Sequence, residues 1–225
     1  MLKGDHMKLA LLGGTGALGR GLALRLAIAN YSVQIGSRSK EKAERTCSEL
    51  SEQLRTVGRE STHLTGHKNS DAAEAAELAI LTVPPRTDAA FVQRLKRALA
   101  QKIVVDCTVN LDPTDVTRIA PGHAGNALEL QKLLGDQVTV VAGFHTLAAA
   151  KLSDLSKALT GDTFLAADST EAKDKVTKIA QAIGLRCFDT GPLETGLTLE
   201  RLTAMLIYMN KRYRKRALGL KLDGM

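Results

Sequence analysis

Residues Lys8 to Leu26 read KLALLGGTGALGRGLALRL, an apolar run followed by a glycine-rich turn and a helical pattern. Leu9 to Leu12 form the apolar run, which predicts a buried strand. Leu18, Leu22 and Leu26 then recur four residues apart, as they do on one face of a helix. A strand, a tight turn and a helix in this order are typical of the first unit of a nucleotide-binding α/β fold.

Three glycines in the turn, Gly14, Gly16 and Gly19, spell G-x-G-x-x-G. In a dinucleotide-binding loop the first permits the tight turn, the second lets a pyrophosphate approach the backbone, and the third lets the helix pack closely. The free N–H groups and the positive end of the helix dipole then face the phosphates. The alternative is a glycine-rich turn that binds nothing, but the strand before it and the helix after it favour a dinucleotide.

The segment GSRSKEK, residues 36–42, follows the second predicted strand, Ser32 to Ile35. NAD-binding members of this fold carry an acidic residue about 20 residues past the glycines, where it binds the ribose hydroxyls. Here Ser37, Arg38 and Lys42 stand in that region instead, and a hydroxyl with cations suits a 2′-phosphate. We therefore predict NADP rather than NAD; the alternative is that these cations form only a solvated helix start.

Strand and helix patterns continue to alternate, which predicts an α/β fold with a doubly wound, mostly parallel sheet of the Rossmann type. Open sheets of this type bind ligands at the carboxyl ends of their strands. The apolar run Leu78 to Val83 ends at Pro84 and Pro85, so Thr82, Val83 and Pro84 are candidate walls of the nicotinamide site or simply a strand stop. His145 follows the predicted strand Val138 to Ala142 and is either a ligand-facing or a structural residue.

The pattern changes after residue 150, and we expect two parts: residues 7–150 as the Rossmann domain and residues 151–225 as a small α+β annex that caps the ligand edge. Several local predictions are specific enough to test. They are a weak strand over Thr62 to Thr65, a helix capped by Asp71 with Glu74, a helix over Lys151 to Leu159, and a helical pattern in one or two pieces over Leu193 to Leu220.

Composition narrows the class of protein. The chain has 225 residues and a net charge of +7, but only 3% aromatic residues and no recognised nucleic-acid motif, so we expect no nucleic-acid partner. No apolar run is long enough to span a bilayer, and three scattered cysteines indicate a reducing cytoplasm rather than disulfides or a metal site. The first residues, MLKGDH, lack the apolar core of a signal peptide and are left out of the fold argument.

The chain resembles the coenzyme F420-dependent NADP reductases from Met7 to about Leu222. The resemblance is carried, in order, by KLALLGGTGALGRGLALRLA, GSRSKEKA, AAEAAELAILTVP, VVAGFHTLAAAKL and DTGPLETGLTLERLT. The first two segments are shared widely among NADP-binding Rossmann proteins, whereas the FHT segment and the late TGPLE segment are more diagnostic.

This resemblance implies direct hydride transfer between NADP(H) and the deazaflavin ring of F420, a reaction that needs ring positioning but no acid or base from a side chain. It implies a set of NADP contacts and a set of ring-positioning residues. The NADP contacts would be Gly14, Thr15, Gly16, Ala17, Leu18, Ser37, Arg38, Lys42, Thr82, Val83 and Pro84. The ring-positioning residues would be His145, Thr146, Leu147 and, from the C-terminal part, Thr203.

Two other functions remain open from the sequence. Proteins similar to this family include NADPH-dependent flavin and ferric reductase domains, in which FMN or FAD would replace F420. The third hypothesis is an NADP-binding sensor without catalysis. We also expect a homodimer, and we interpret the basic run Lys211 to Arg216 as a solvated helix face or, alternatively, a site for an anionic tail.

Overall fold

The computed structural model describes residues 7–59, 63–84 and 89–224. The strands in these ranges are β1 (Lys8–Leu12), β2 (Ser32–Ser37), β3 (Leu64–Lys68), β4 (Leu78–Leu81), β5 (Ile103–Asp106), β6 (Thr139–Gly143), β7 (Asp162–Ala166) and β8 (Arg186–Asp189). The α-helices are α1 (Ala17–Ile28), α2 (Lys40–Thr56), α3 (Asn69–Ala75), α4 (Ala89–Leu99), α5 (Asn126–Leu134), α6 (Ala149–Ser153), α7 (Thr170–Ala182) and α8 (Gly196–Arg212).

The described strands form one eight-stranded sheet in the order β3-β2-β1-β4-β5-β6-β7-β8. The first six strands are parallel, with β1 between β2 and β4, which is the arrangement of dinucleotide-binding folds. Strand β7 runs antiparallel to β6, and β8 runs parallel to β7. The predicted α/β fold with a doubly wound, mostly parallel sheet is confirmed.

The sheet is buried on both faces, which explains why its central strands are apolar without interruption. Leu9 and Leu11 of β1 belong to one core cluster, with α1 and α7, while Ala10 and Leu12 belong to the other, with α4 and α5. Successive side chains of a strand point to opposite faces, so a strand covered on both faces needs apolar residues at every position. The carboxyl ends of the parallel strands are thereby held at one edge.

Two local predictions in the first half are wrong. Helix α3 begins at Asn69, so Asp71 lies inside the helix and accepts a hydrogen bond from Ser70 rather than capping the N-terminus with Glu74. Strand β3 spans Leu64–Lys68 and pairs with β2 over its whole length, so it continues past the predicted end at Thr65, while Thr62, the predicted start, lies outside the described residues. Pro85, the second residue of the predicted strand stop, lies outside the described residues.

Two helix ends also differ from prediction. Helix α6 stops at Ser153 instead of continuing to Leu159, because the guanidinium of Arg25 draws four backbone carbonyls of this segment out of helical bonding. Those carbonyls belong to Lys151, Leu152, Asp154 and Lys157. Helix α8 ends at Arg212, so the basic run lies only partly on a helix, and its cations are exposed.

The C-terminal strands extend the same sheet through the pairing of β7 with β6, and a charged pair joins β7 to β8. The Asp162 carboxylate, which is buried, accepts hydrogen bonds from Arg186 Nε and Nη2, each at 2.8 Å, and from the backbone N–H of Leu222. The hydrogen bonds from the Arg186 guanidinium hold the pKa of Asp162 below its ordinary value. The division of the chain at residue 150 stays a prediction, since the strands on either side of it share one sheet.

Candidate functional site

The glycine-rich turn joins β1 to α1 at the carboxyl edge of the sheet. Gly13 adopts φ +76, and a Cβ there would lie 2.7 Å from Val83, so this position needs glycine for both reasons. The Gly14 N–H donates to the carbonyls of Leu11 and Gly36, both at 3.0 Å. The turn is therefore fixed to β1, β2 and the end of β4 at once, and Gly13 is a required glycine that lies outside the G-x-G-x-x-G motif.

Gly16 and Gly19 have different surroundings although they belong to one motif. A Cβ at Gly19 would lie 2.6 Å from Gly14 Cα, so the helix can approach the turn only without a side chain there. A Cβ at Gly16 would meet nothing closer than the Gly13 carbonyl oxygen at 3.5 Å. The protein itself thus makes no demand for glycine at position 16, which leaves space in front of the N-terminus of α1.

Asn69 is a structural partner of the turn that the sequence motifs do not reveal. Its Oδ1 accepts a hydrogen bond from the Gly13 N–H at 2.9 Å, and a Cβ at Gly36 would lie 2.7 Å from the same atom. Asn69 is 7% exposed and follows directly after β3. Its position at the end of a strand is the only sequence signal, because its partner lies 56 residues away.

The end of β2 presents cations and no acid to the same edge. Ser37 is buried, whereas Arg38 and Lys42 are exposed and form no ion pair within the described part of the chain. The first acid, Glu41, accepts a hydrogen bond from the Ser39 hydroxyl at 2.6 Å, and Ser39 in turn caps the Lys42 N–H. The edge beside β2 is therefore positive, as expected for a site that binds a phosphate.

The end of β4 lies against the glycine turn. Thr82 donates to the Leu12 carbonyl through its backbone N–H at 2.9 Å and through its hydroxyl at 3.1 Å. Val83 contacts Gly13, and Pro84 follows on the surface. The structure thus places Thr82 and Val83 next to the turn that begins α1.

His145 lies just beyond β6 and is almost fully buried. Phe144 before it adopts φ +62, a conformation that is uncommon for a non-glycine residue. Burial lowers the pKa of His145 to about 4, an effect that a hydrogen bond to the Thr108 backbone partly offsets. The ring is therefore neutral at pH 7, and its Nδ1 has no hydrogen-bond partner among the described residues.

A hydrogen bond joins the segment at His145 to α8, a contact between parts of the chain that are distant in sequence. The Thr203 hydroxyl donates to the His145 carbonyl at 2.8 Å, across 58 residues of sequence. Thr146 is buried, and its hydroxyl donates to the Asp162 carbonyl at 3.5 Å. Leu147 packs against the core on the α1 side of the sheet. Of the four predicted ring-positioning residues, His145 and Thr203 are thus in direct contact.

Two buried carboxylates beside His145 were not predicted. Asp106, at the end of β5, and Glu200, on α8, are each 1% exposed. Glu200 accepts hydrogen bonds from the backbone N–H groups of Asn110 at 3.0 Å and Asn126 at 2.7 Å, and it contacts His123 Nε2 at 3.3 Å. Asp106 Oδ1 accepts two hydrogen bonds from Thr108, while its Oδ2 has no partner among the described residues.

We expect Asp106→Asn to stabilise the protein increasingly as the pH rises. Burial raises the pKa of Asp106 to about 7, and the nearby Glu200 adds to this against the hydrogen bonds from Thr108. The folded protein therefore keeps a proton that the unfolded chain has lost between about pH 4 and 7, so this group's contribution to stability is present at low pH and is lost as the pH rises through 7. Urea unfolding at pH 5 and pH 8 should show the variant gaining at least about 1 kcal/mol over wild type between the two pH values.

Asp112→Asn is the matched control for that experiment. Asp112 makes the same two hydrogen bonds with Thr114 on the surface, and these bonds lower its pKa. Its contribution to stability is fully present above its unfolded pKa, so the stability difference between this variant and wild type should not change between pH 5 and pH 8. A pH-independent difference for Asp106→Asn as well would contradict the prediction.

A separate cavity of about 610 Å³ lies between residues 117–123 and α8. It is lined by Arg118, Arg201, Met205 and Tyr208, among others, and none of the predicted site residues borders it. No helix in the described ranges has the length and apolar character that a membrane span needs. No group of three or more His, Cys, Asp or Glu residues within the same ranges could hold a metal ion.

Comparisons with known proteins agree with this geometry. The family model of NADP oxidoreductases that are coenzyme F420-dependent matches residues 8–110. The F420-dependent NADP reductase of Methanothermobacter marburgensis is 37% identical over 97% of this chain and 99% of its own length. Metalloreductase STEAP3 of Rattus norvegicus is 27% identical over 92% of this chain but only 38% of its own length.

The fold is also found in solved structures. A crystallised protein of Arthrobacter sp. fb24 has a TM-score of 0.79 and 25% identity, with 96% of this chain and 99% of that chain covered. The glycine turn, the cationic end of β2 and the segment around His145 all lie within the alignment to the archaeal relative, which spans nearly the whole chain. The protein belongs to the family of F420-dependent NADP reductases.

Proposed function

We propose that this protein transfers a hydride directly between NADP(H) and the deazaflavin coenzyme F420. The observation that carries the proposal is the 37% identity to a reductase of that name over 97% of this chain. The described site fits the reaction, because it offers an open turn for a pyrophosphate, cations for a 2′-phosphate, and a neutral buried histidine beside the sheet edge. When bound, the nicotinamide supplies the hydride, so the side chains need only bind, orient and exclude water.

The donor half of the site uses the turn and the ends of β2 and β4. The space in front of Gly16 and the backbone N–H groups at the start of α1 support phosphate binding there. Arg38 and Lys42 are exposed cations, and they would pair with the 2′-phosphate beside Ser37. Gly14, Thr15, Ala17 and Leu18 complete the turn, while Thr82, Val83 and Pro84 would border the nicotinamide end.

The acceptor half would be formed by His145, Thr146, Leu147 and Thr203. The neutral imidazole of His145 has a buried Nδ1 without a hydrogen-bond partner among the described residues, and the ring lies just beyond the carboxyl end of β6. Thr203 fixes the His145 backbone through its hydroxyl, so α8 contributes directly to the position of this ring. We assign no acid or base role to any of these residues.

Purified protein mixed with NADPH and oxidised F420 should bleach the deazaflavin absorbance, and omission of either partner should abolish the change. A reduction of F420 by NADPH that requires the protein supports the proposal. Absence of any reduction at high enzyme concentration, with NADPH binding demonstrated in the same preparation, would rule it out.

The second candidate function is an NADPH-dependent flavin or ferric reductase. It is favoured by the 27% identity to metalloreductase STEAP3 over 92% of this chain. The same assay with FMN, FAD and a ferric chelate separates the two functions. Turnover with a flavin or ferric iron but not with F420 would establish the second candidate and exclude the first.

We also propose that the protein is a cytoplasmic homodimer. The free cysteines Cys47, Cys107 and Cys187 suit a reducing compartment. The exposed side chains of Met205 and Tyr208 on α8 and of Val116 nearby offer an apolar surface that a second copy could cover. Light scattering at micromolar concentration measures the oligomeric state, and a monomeric mass would overturn the dimer.

A further inference from the structure

An Asp-x-Thr motif occurs three times between residues 106 and 117, the segment that begins at the last residue of β5. Only the first copy has a buried aspartate. Asp106 with Thr108, Asp112 with Thr114, and Asp115 with Thr117 each place the aspartate Oδ1 so that it accepts from the threonine N–H and hydroxyl. The second and third copies lie in the loop on the surface. The first copy lies at the end of β5, where Asp106 is 1% exposed.

Thr108 connects the ends of three elements. Its hydroxyl donates to Asp106 Oδ1 at 2.7 Å and accepts a hydrogen bond from Asn126 Nδ2 at 2.8 Å. Its backbone lies beside the ring of His145, where it raises the pKa of that ring against the larger effect of burial. Thr108 thus links the end of β5 to the start of α5 and to the segment that follows β6.

Glu200 fixes the other parts of the same loop from α8. Its two carboxylate oxygens accept from the backbone N–H groups of Asn110 and Asn126. Two residues of this loop are therefore fixed by carboxylates: Thr108 by Asp106, and Asn110 by Glu200. The backbone of this loop beside His145 is thus fixed by one side chain of β5 and one of α8.

Two buried acceptor atoms remain without a partner in this region. They are Asp106 Oδ2 and His145 Nδ1, both without a hydrogen bond from any described residue. Buried polar groups are almost always hydrogen-bonded, and exceptions are concentrated at functional sites. The interactions that hold Thr108 use only Oδ1, an acceptor atom that an asparagine also supplies.

We infer that Asp106 is a positioning residue of the acceptor site, which holds Thr108 and through it the ring of His145. The hydrogen bonds to Oδ1 perform this role, so it depends on an acceptor atom at that place and not on the negative charge. The kinetic part of this inference rests on the proposed function, because it concerns the acceptor that His145 would contact. The structural part concerns only the His145 ring.

The first test is nuclear magnetic resonance of the ligand-free protein with labelled histidine. The chain has five histidines, and the ring signals of His145 are assigned by their loss in His145→Gln. Asp106→Ala and Thr108→Val should each shift these ring signals, while Asp106→Asn should leave them close to wild type because it keeps Oδ1. Asp112→Ala, which removes the same motif on the surface, should leave them unchanged.

The second test is steady-state kinetics with the acceptor that the wild-type protein reduces. Asp106→Ala and Thr108→Val should raise the KM for that acceptor about tenfold and change the Kd for NADPH by less than about twofold. Asp106→Asn should restore the acceptor KM. If Asp106→Ala fails to fold, the nearly isosteric Thr108→Val decides, since it removes only the hydroxyl link.

Three outcomes would overturn the inference. They are unchanged His145 signals in both disruptive variants, an equal loss of NADPH affinity, which would indicate general damage, and a failure of Asp106→Asn to rescue, which would indicate a role of charge. Failure of the proposed function is recognised separately. Wild-type protein would then reduce neither F420 nor flavin, and the resonance experiment alone would decide the role of Asp106.

Discussion

Arg38→Glu is expected to raise the Kd for NADP⁺ about 100-fold and to leave the Kd for NAD⁺ within about threefold of wild type. Only NADP carries the 2′-phosphate, and the change replaces a charge-assisted hydrogen bond with repulsion between two anions. Arg38 is exposed and has no ion pair within the described residues, so its replacement should not disturb the fold. Fluorescence titration with both nucleotides measures the two constants.

Arg55→Glu is the matched control for this change in charge. Arg55 lies in the last turn of α2, the helix that follows Arg38, roughly 22 Å along its axis from Lys40, and its side chain is 64% exposed. The control should leave both constants unchanged, because surface charges at this distance are screened by salt. Equal weakening of NAD⁺ and NADP⁺ in Arg38→Glu would mean that Arg38 does not bind the 2′-phosphate.

Alanine at Gly19 is expected mainly to lower stability, whereas alanine at Gly16 is expected mainly to weaken NADPH binding. At Gly19 the new Cβ would lie 2.6 Å from the Gly14 backbone, so the free energy of unfolding should fall by about 1–3 kcal/mol. At Gly16 the nearest atom is 3.5 Å away, so the loss of stability should stay below about 1 kcal/mol. Chemical unfolding of both variants without nucleotide measures this difference.

A specific loss of NADPH affinity is expected in Gly16→Ala and not in Gly19→Ala. In Gly16→Ala the methyl group would occupy space that the pyrophosphate needs, so the Kd should rise between about tenfold and 100-fold in a protein that is otherwise intact. In Gly19→Ala any loss of affinity should accompany the loss of stability. Unimpaired NADPH binding by Gly16→Ala would show that the phosphates do not approach the turn at this glycine.

Most of the sheet was predictable because each strand carries its own signal. The apolar runs at Leu9 to Leu12 and Leu78 to Leu81 are buried on both faces, and this burial requires the uninterrupted pattern seen in the sequence. The contact of Asn69 with the glycine turn and the end of α6 beside Arg25 were not predictable. Both side chains act on backbone that is distant in sequence.

The location of the candidate site segments was predictable where their residues are adjacent in sequence and less so where they are not, and the binding roles of these residues stay predictions. The turn and the segment after β2 follow motifs with fixed spacing, and their positions at the sheet edge agree with the prediction. Glu200 contacts His123, Asn126 and Asn110, up to 90 residues away in sequence, whereas Asp106 bonds to the nearby Thr108. The local Asp-x-Thr motif was visible in the sequence, but its burial was not.

The hydrogen bonds that join residues 7–150 to the rest of the chain are accepted or donated mostly by backbone atoms on at least one side. Arg25 of α1 binds four carbonyls between Lys151 and Lys157, and β6 pairs with β7 through Ala142 and Gly143. A chimaera that exchanged the C-terminal part for that of a relative would therefore keep these bonds if the backbone path were preserved. Such a junction tolerates substitution of side chains, but a single inserted or deleted residue near position 150 would move the carbonyls away from Arg25.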